Sequence, residues 1–300
     1  FCHTAFNVFT TILLLPFSRQ LEKLARRLVR NDTKSESFAF LDPLLIRTPS
    51  VAISECVSMA CRMGETARDN VLLAMEQLSG FSEEREAQIL ENEDKLDTYE
   101  DRLGSYLVDV SQHGVSMVDI RTVSRLLHAI GDFERIGDHV LNLQESAKEL
   151  RDKQLRFSPT AQKEVEVLTR LLRDLMTAAL DCFRKDDPVA AQLVEPLEET
   201  MDCLTEEVRN RHIHRLQNGQ CTIQLGFVLN DLLNNFERIG DHCSNIAVSV
   251  IEEQDSQMAS HAYLHDMKKN GEFAARLQNN LSRYALPPEM PGASPAEPAE

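Results

Sequence analysis

The seven residues Phe-Glu-Arg-Ile-Gly-Asp-His occur twice in this chain, at 133–139 and again at 236–242. Glu134 and Glu237 stand 103 positions apart (237 less 134), about the length of a three-helix unit, so an internal duplication is the first constraint on the fold. Long helical patterns surround the first copy. One runs from about Ser50 to Leu78 and stops at Ser79-Gly80, a second from about Glu83 to Gln112, and a third from about Ser116 to Leu150. The scheme then recurs: Ser158-Pro159 opens a helix, a stretch beginning at Asp187-Pro188 follows, and Gln217-Asn218-Gly219 breaks the chain before a helix ending near Glu252. No Trp, few Gly and Pro before the tail, and almost no alternating β-branched runs agree with this reading. The expected fold is all-α: two tandem, pseudo-repeated three-helix bundles, each with its heptapeptide on the third helix.

Periodicity decides which way the heptapeptide faces. Leu126, Ala129, Phe133, Ile136, Val140, Leu143 and Ala147 step by three and four in the first copy; Leu229, Leu232, Phe236, Ile239, Cys243, Ile246 and Val250 do so in the second. These are the predicted core stripes. Glu134 and Asp138, like Glu237 and Asp241, lie one turn apart and off the stripe, so each pair of carboxylates points from a shared neighbouring face. Asn230, Asn234 and Asn245 extend that face in the second copy and Asn142 in the first. Gly137 and Gly240 cost a mid-helix position about 1 kcal/mol relative to Ala, which close approach of another backbone or a ligand would offset.

Two carboxylates one turn apart repel unless a cation or an arginine sits between them. A single such pair is ordinarily a solvated charged face, served here by Arg135 or Arg238 and water. Its identical repetition is not required for solvation, while flanking positions such as Leu127/Asn230 and His128/Asp231 have diverged. Carboxylate oxygens are hard ligands suited to Mg, Mn, Ca or Fe. The second helices carry a weaker echo: Glu93, Asp97 and Glu100 recur as Glu195, Glu199 and Asp202 with the same four-then-three spacing, which in helices this acidic also arises by chance. His139 and His242 point about 100° away from the carboxylates and are expected as hydrogen-bonded surface or interface residues rather than ligands. Glu-x-x-His, which a di-iron bundle requires, is absent from the chain, and no nucleophile or acid–base set argues for an enzyme.

The overall charge is −16, which repels phosphate backbones and excludes nucleic acid as a natural partner. Seven scattered cysteines without C-x-x-C spacing read as reduced thiols, mostly in the core. The apolar residues 1–17, followed by a run in which Arg19, Lys23, Arg26, Arg27 and Arg30 face one acid, Glu22, read as the end of a last membrane helix followed by a cytoplasmic flank; a buried amino-terminal helix is the alternative. The boundaries expected are 18–49 for a basic juxtamembrane helix and linker, 50–152 and 153–254 for the repeats, 255–285 for a helical extension, and 286–300 for a proline-rich disordered tail.

The doubled motif on the third helix of paired three-helix units resembles the PhoU domain. That resemblance implies metal sites at its Glu/Asp-x-x-x-Asp motifs, with Glu134, Asp138, Glu237 and Asp241 as ligands to Fe, Mn, Mg or Zn. The apolar start, the basic helix and the sequence around 261–287 are also similar to the carboxy-terminal part of bacterial Na+/phosphate cotransporter family proteins. This second resemblance implies a regulatory domain at the plasma membrane, cytoplasmic from about residue 18. Its partners would be its own transport core, phosphate through bound metal, sodium through that core, and a homodimer mate. The core itself is missing from these residues. A free-standing PhoU-type signalling adaptor and a structural helical interaction module are the competing readings.

Overall fold

The computed structural model describes residues 41–254, 268 and 271–288. The expectations for residues 1–17, for all but the end of the juxtamembrane stretch, for most of the tail and for much of the extension therefore lie outside the described residues. After a 3-10 turn at Pro43–Arg47 come α1 (Pro49–Ser79), α2 (Glu83–Ser111) and α3 (Met117–Asp152). The second set is α4 (Pro159–Lys185), the single turn α5 (Pro188–Ala191), α6 (Val194–Gln217) and α7 (Ile223–Gln254), with α8 (Gly271–Arg283) after them. No strand occurs among the described residues.

The ends are written in the sequence. Ser82 accepts from the Arg85 amide and leads three acids in the first turn of α2, Ser116 and Asp119 close a reciprocal capping box on α3, and Ser158 with Pro159 starts α4. Asp186 turns the chain after α4 with φ 51°, a conformation that Asp tolerates better than most side chains. The helices α1, α2 and α3 pack on one another as one bundle, and α4, α6 and α7 as the other.

Both predicted stripes are core. Phe133 is 1% exposed and Phe236 0%, and burial of a side chain of this size contributes roughly 1.5–3 kcal/mol. Phe133 meets Phe183 edge-on at 5.5 Å between ring centres and sits over Gly64, where a Cβ would stand 2.7 Å from the ring and 2.6 Å from Leu180. The crossing of α1 with α3 and α4 therefore depends on Gly64, a residue inside an apparently ordinary helical pattern. The six described cysteines form no disulfide; burial pushes the Cys56 and Cys182 thiols up to about 12, which keeps them unreactive.

The two bundles join through their third helices. Asn142 donates to Asn235 and Asn245 donates to Asp132, so α3 and α7 run antiparallel, and α1 packs against α4 beside them. The carboxylates of the heptapeptides do not face each other across this seam. They face the second helix of their own bundle.

The plasma-membrane placement is corrected. No described helix is long and apolar enough to cross a membrane, because each long one carries charged residues along its exposed face. The extension at 255–285 includes α8, whose Phe273 is buried, whose Asn280 donates to the Pro196 carbonyl, and beyond which Tyr284 donates to Asp174. Arg211 holds the Pro287 carbonyl at 2.7 Å, so the chain is still attached to the second bundle two residues past Ala285.

Candidate functional site

The histidines of the repeated motif lie in the seam between bundles. His139 and His242 stack with ring centres 5.5 Å apart and planes at 28°. His242 Nδ1 donates to Asp132 at 2.9 Å, and His139 Nδ1 pairs with the Asn235 side-chain oxygen at the same distance. Asp132 and Asn235 are themselves 103 positions apart, so the two contacts are related by a local twofold. Burial, opposed by the bond to Asn235, lowers the basicity of His139. Neither ring is turned toward the carboxylates of its own motif. Asn142 and Asn245, expected on the acidic faces, also belong to the seam.

On the first acidic face, Glu134 and Asp138 of α3 look onto Glu93, Asp97 and Glu100 of α2. Burial, followed by repulsion from Asp97, Asp94, Asp138 and Glu134, pushes Glu93 up to about 6. Burial and then Asp138 raise Asp97; burial and then Asp138, Asp97 and Glu100 raise Glu134, with Arg135 acting against them. The two helices are pressed close by Gly137, where a Cβ would stand 2.7 Å from Leu96. The glycine is explained here by a neighbouring helix. None of these carboxylates forms an ion pair with a described cation.

On the second face, α7 supplies Glu237 and Asp241 and α6 supplies Glu195, Glu199 and Asp202, as the spacing predicts. Cations of the chain have entered it. Arg209 reaches both Glu237 oxygens at 3.2 and 3.3 Å and also holds Asn234 at 3.1 Å and Asn230 at 3.4 Å. Thr205 donates to Glu237 at 2.6 Å, Arg238 pairs with Asp241 at 3.2 Å, and Lys268 bridges Glu195 and Glu199. Burial and then Asp241 and Glu237 still push Asp202 up to about 6.

One carboxylate here escaped the sequence reading. Glu198 is 8% exposed, its Oε2 is buried without a hydrogen-bond partner, and burial and then the charges of Glu195 and Asp202 push it up to about 8, with Lys268 acting against them. Its counterpart is Leu96: Leu96 fills the space at Gly137, and the Glu198 stem lies 3.8 Å from a Cβ built at Gly240. Comparing the second helices position by position, with Glu93 set on Glu195, finds this exchange of Leu for Glu.

Among the described residues, no group of three or more His, Cys, Asp or Glu side chains is gathered closely enough to hold a metal ion. The donor chemistry of the first face nonetheless fits a hard cation: oxygens only, mutually repelling, and unpaired with any described cation.

Comparison with known proteins bears on the fold and the family. The chain is 24% identical over 212 residues, 69% of its length and 86% of the relative's, to the phosphate-specific transport system accessory protein PhoU homolog of Xylella fastidiosa. It is 22% identical over 179 residues, 59% of its length and 76% of the relative's, to PhoU homolog 1 of Thermotoga maritima, which bears the same description. The crystal structure of PhoU from Pseudomonas aeruginosa matches 68% of this chain and 97% of its own, with a TM-score of 0.64 at 23% identity. The first two are described as accessory proteins of a transport system, which counts with the helix composition against the membrane placement. The PhoU domain profile covers residues 60–147 and 165–250, one span for each bundle and more than half of the chain together, so the chain belongs to the PhoU domain family.

Proposed function

We propose that this chain is a regulatory accessory protein of a phosphate transport system, and that its first acidic face binds a divalent cation through Glu134, Asp138, Glu93 and Asp97, with Glu100 at the edge. The observation that carries the regulatory reading is the match of both bundles to the PhoU domain, supported by relatives described as accessory proteins of phosphate-specific transport. The free-standing adaptor is thus better supported than a domain of a sodium-coupled carrier. Its partner is a phosphate transporter or that transporter's signalling apparatus. The cation reading is supported by the unpaired, mutually repelling carboxylates on α2 and α3. An oxygen-only donor set favours Mg or Mn over softer ions. Phosphate itself would reach so negative a face only through a bound cation.

Two experiments test this. In cells lacking the protein, phosphate uptake should no longer follow external phosphate; uptake that tracks supply as in the parent strain would overturn the regulatory reading. Calorimetric titration of the purified chain with Mn2+ should show that its tightest binding is lost in Glu134→Gln/Asp138→Asn, with helicity unchanged. Equal binding by the variant would remove the first face as the site.

A further inference from the structure

We propose that Lys268 is a tethered counter-ion of the second acidic face, so that a divalent cation binds there only by displacing its ammonium group. Glu195 and Glu199 stand one turn apart on α6, where like charges repel and a cation between them is favoured. Lys268 Nζ fills that position, 3.1 Å from Glu195 and 2.6 Å from Glu199. The Ser244 hydroxyl donates to the other Glu195 oxygen, so this carboxylate is held in place from two sides. Beneath it lies Glu198, more than nine-tenths buried with Oε2 unpartnered. A buried carboxylate oxygen without a donor marks a place where a ligand of positive charge would be stabilised, and the lysine does not reach it.

Lys268 precedes α8 by three residues, and that helix is fastened to the second bundle by buried Phe273, by Asn280 on the Pro196 carbonyl and by the Tyr284 and Arg283 contacts to Asp174. An ammonium group on so short an arm acts at an effective concentration in the millimolar range or above. Lys268 and α8 lie beyond the residues matched by the family profile, which end at 250. The first face has no equivalent among the described residues, and Leu96 there replaces the buried Glu198. One duplicated face is left open to an outside cation and the other carries its own.

This inference rests on the cation reading of the acidic faces, and its test separates the two. Glu134→Gln/Asp138→Asn silences the first face; in that background, Lys268→Met should tighten Mn2+ binding by about tenfold, the order expected when a tethered competitor is removed. In the same background with Lys268 present, Mn2+ should speed acetylation of Lys268 by a water-soluble succinimidyl ester, read by peptide mass spectrometry, while Lys95, paired with Glu91 in the first bundle, keeps its rate. Equal Mn2+ affinity with and without the lysine, and a labelling rate that Mn2+ does not change, would overturn the counter-ion proposal. If the wild-type chain binds Mn2+ but neither variant in the silenced background does, the proposal falls and the first-face reading stands. If the wild-type chain binds none, the cation reading fails first and the counter-ion proposal with it.

Discussion

The two acidic faces begin from the same heptapeptide and reach different electrostatic states. In the first bundle Glu134 and Asp138 meet Glu93 and Asp97 with their charges opposed only at a distance by Arg135; in the second, Arg209, Arg238 and Lys268 pair directly with Glu237, Asp241, Glu195 and Glu199. The second bundle repeats this habit in its interior, where Glu164, 0% exposed, receives Arg215 at 2.7 and 3.0 Å and Arg211 at 3.5 Å. The identity of a motif therefore fixes its place on a helix, whereas its partners on the next helix fix its charge state. A duplicated sequence does not by itself make a duplicated site.

The largest effect that would sharpen this contrast is at the buried pair. Arg215→Met leaves Glu164 with only the longer Arg211 contact and should cost about 3–5 kcal/mol, the usual result of removing one partner of a buried pair. Chemical denaturation would measure it, and a loss below 1 kcal/mol would show that Arg211 suffices.

Glu198 comes next. Its carboxyl is raised from 4.5 to about 8, so between those values the folded chain holds a proton that the unfolded chain has released. Stability should therefore fall as pH rises from about 5 through 8. Glu93 and Asp202, each raised to about 6, add to the fall in its lower half. Glu198→Gln should flatten the upper half of the slope, and Glu198→Leu, which copies Leu96, should stabilise the chain by about 1–3 kcal/mol at pH 8. Thermal unfolding across a pH series checks both; an unchanged slope in the Gln variant would mean that the carboxyl titrates elsewhere.

The smallest effects have opposite signs at equivalent glycines. Gly137→Ala puts a methyl 2.7 Å from buried Leu96, while at Gly240 the nearest atom is 3.5 Å away in ordinary contact. The first substitution should destabilise by about 1 kcal/mol, and the second should stabilise by about 0.5–1 kcal/mol through helix propensity. Matching signs in paired unfolding curves would break the comparison.

How far the sequence disclosed this follows from what each feature depends on. The seven-residue stripes, Phe133 and Phe236 among them, are buried as periodicity predicts, because burial follows from position around one helix. The helix limits agree within two residues at Ser82, Ser116 and Pro159, whereas the stretch that opens at Pro188 breaks after one turn and its long helix starts only at Val194. Glu134, Asp138, Glu237 and Asp241 were placed correctly on faces off the core for the same reason. Gly64, Glu198 and Lys268 were not legible, since each takes its meaning from a side chain on another helix: Phe133, the carboxylates around Gly240, and the Glu195–Glu199 pair. Asn142 and Asn245 were assigned to the wrong face because sequence spacing does not say which of two adjacent helices will cover a polar row.

The seam at His139 and His242 carries a further consequence. Two identical subunits packed about a twofold must present the same residue at both ends of every contact, so any change in one half is imposed on the other. Here the halves share a single chain, and the symmetric positions read Asp132 on one side and Asn235 on the other. Covalent linkage has released the pair from that obligation. The chain behaves architecturally as a heterodimer with a fixed one-to-one ratio, in which each half can drift toward a separate task without losing its mate.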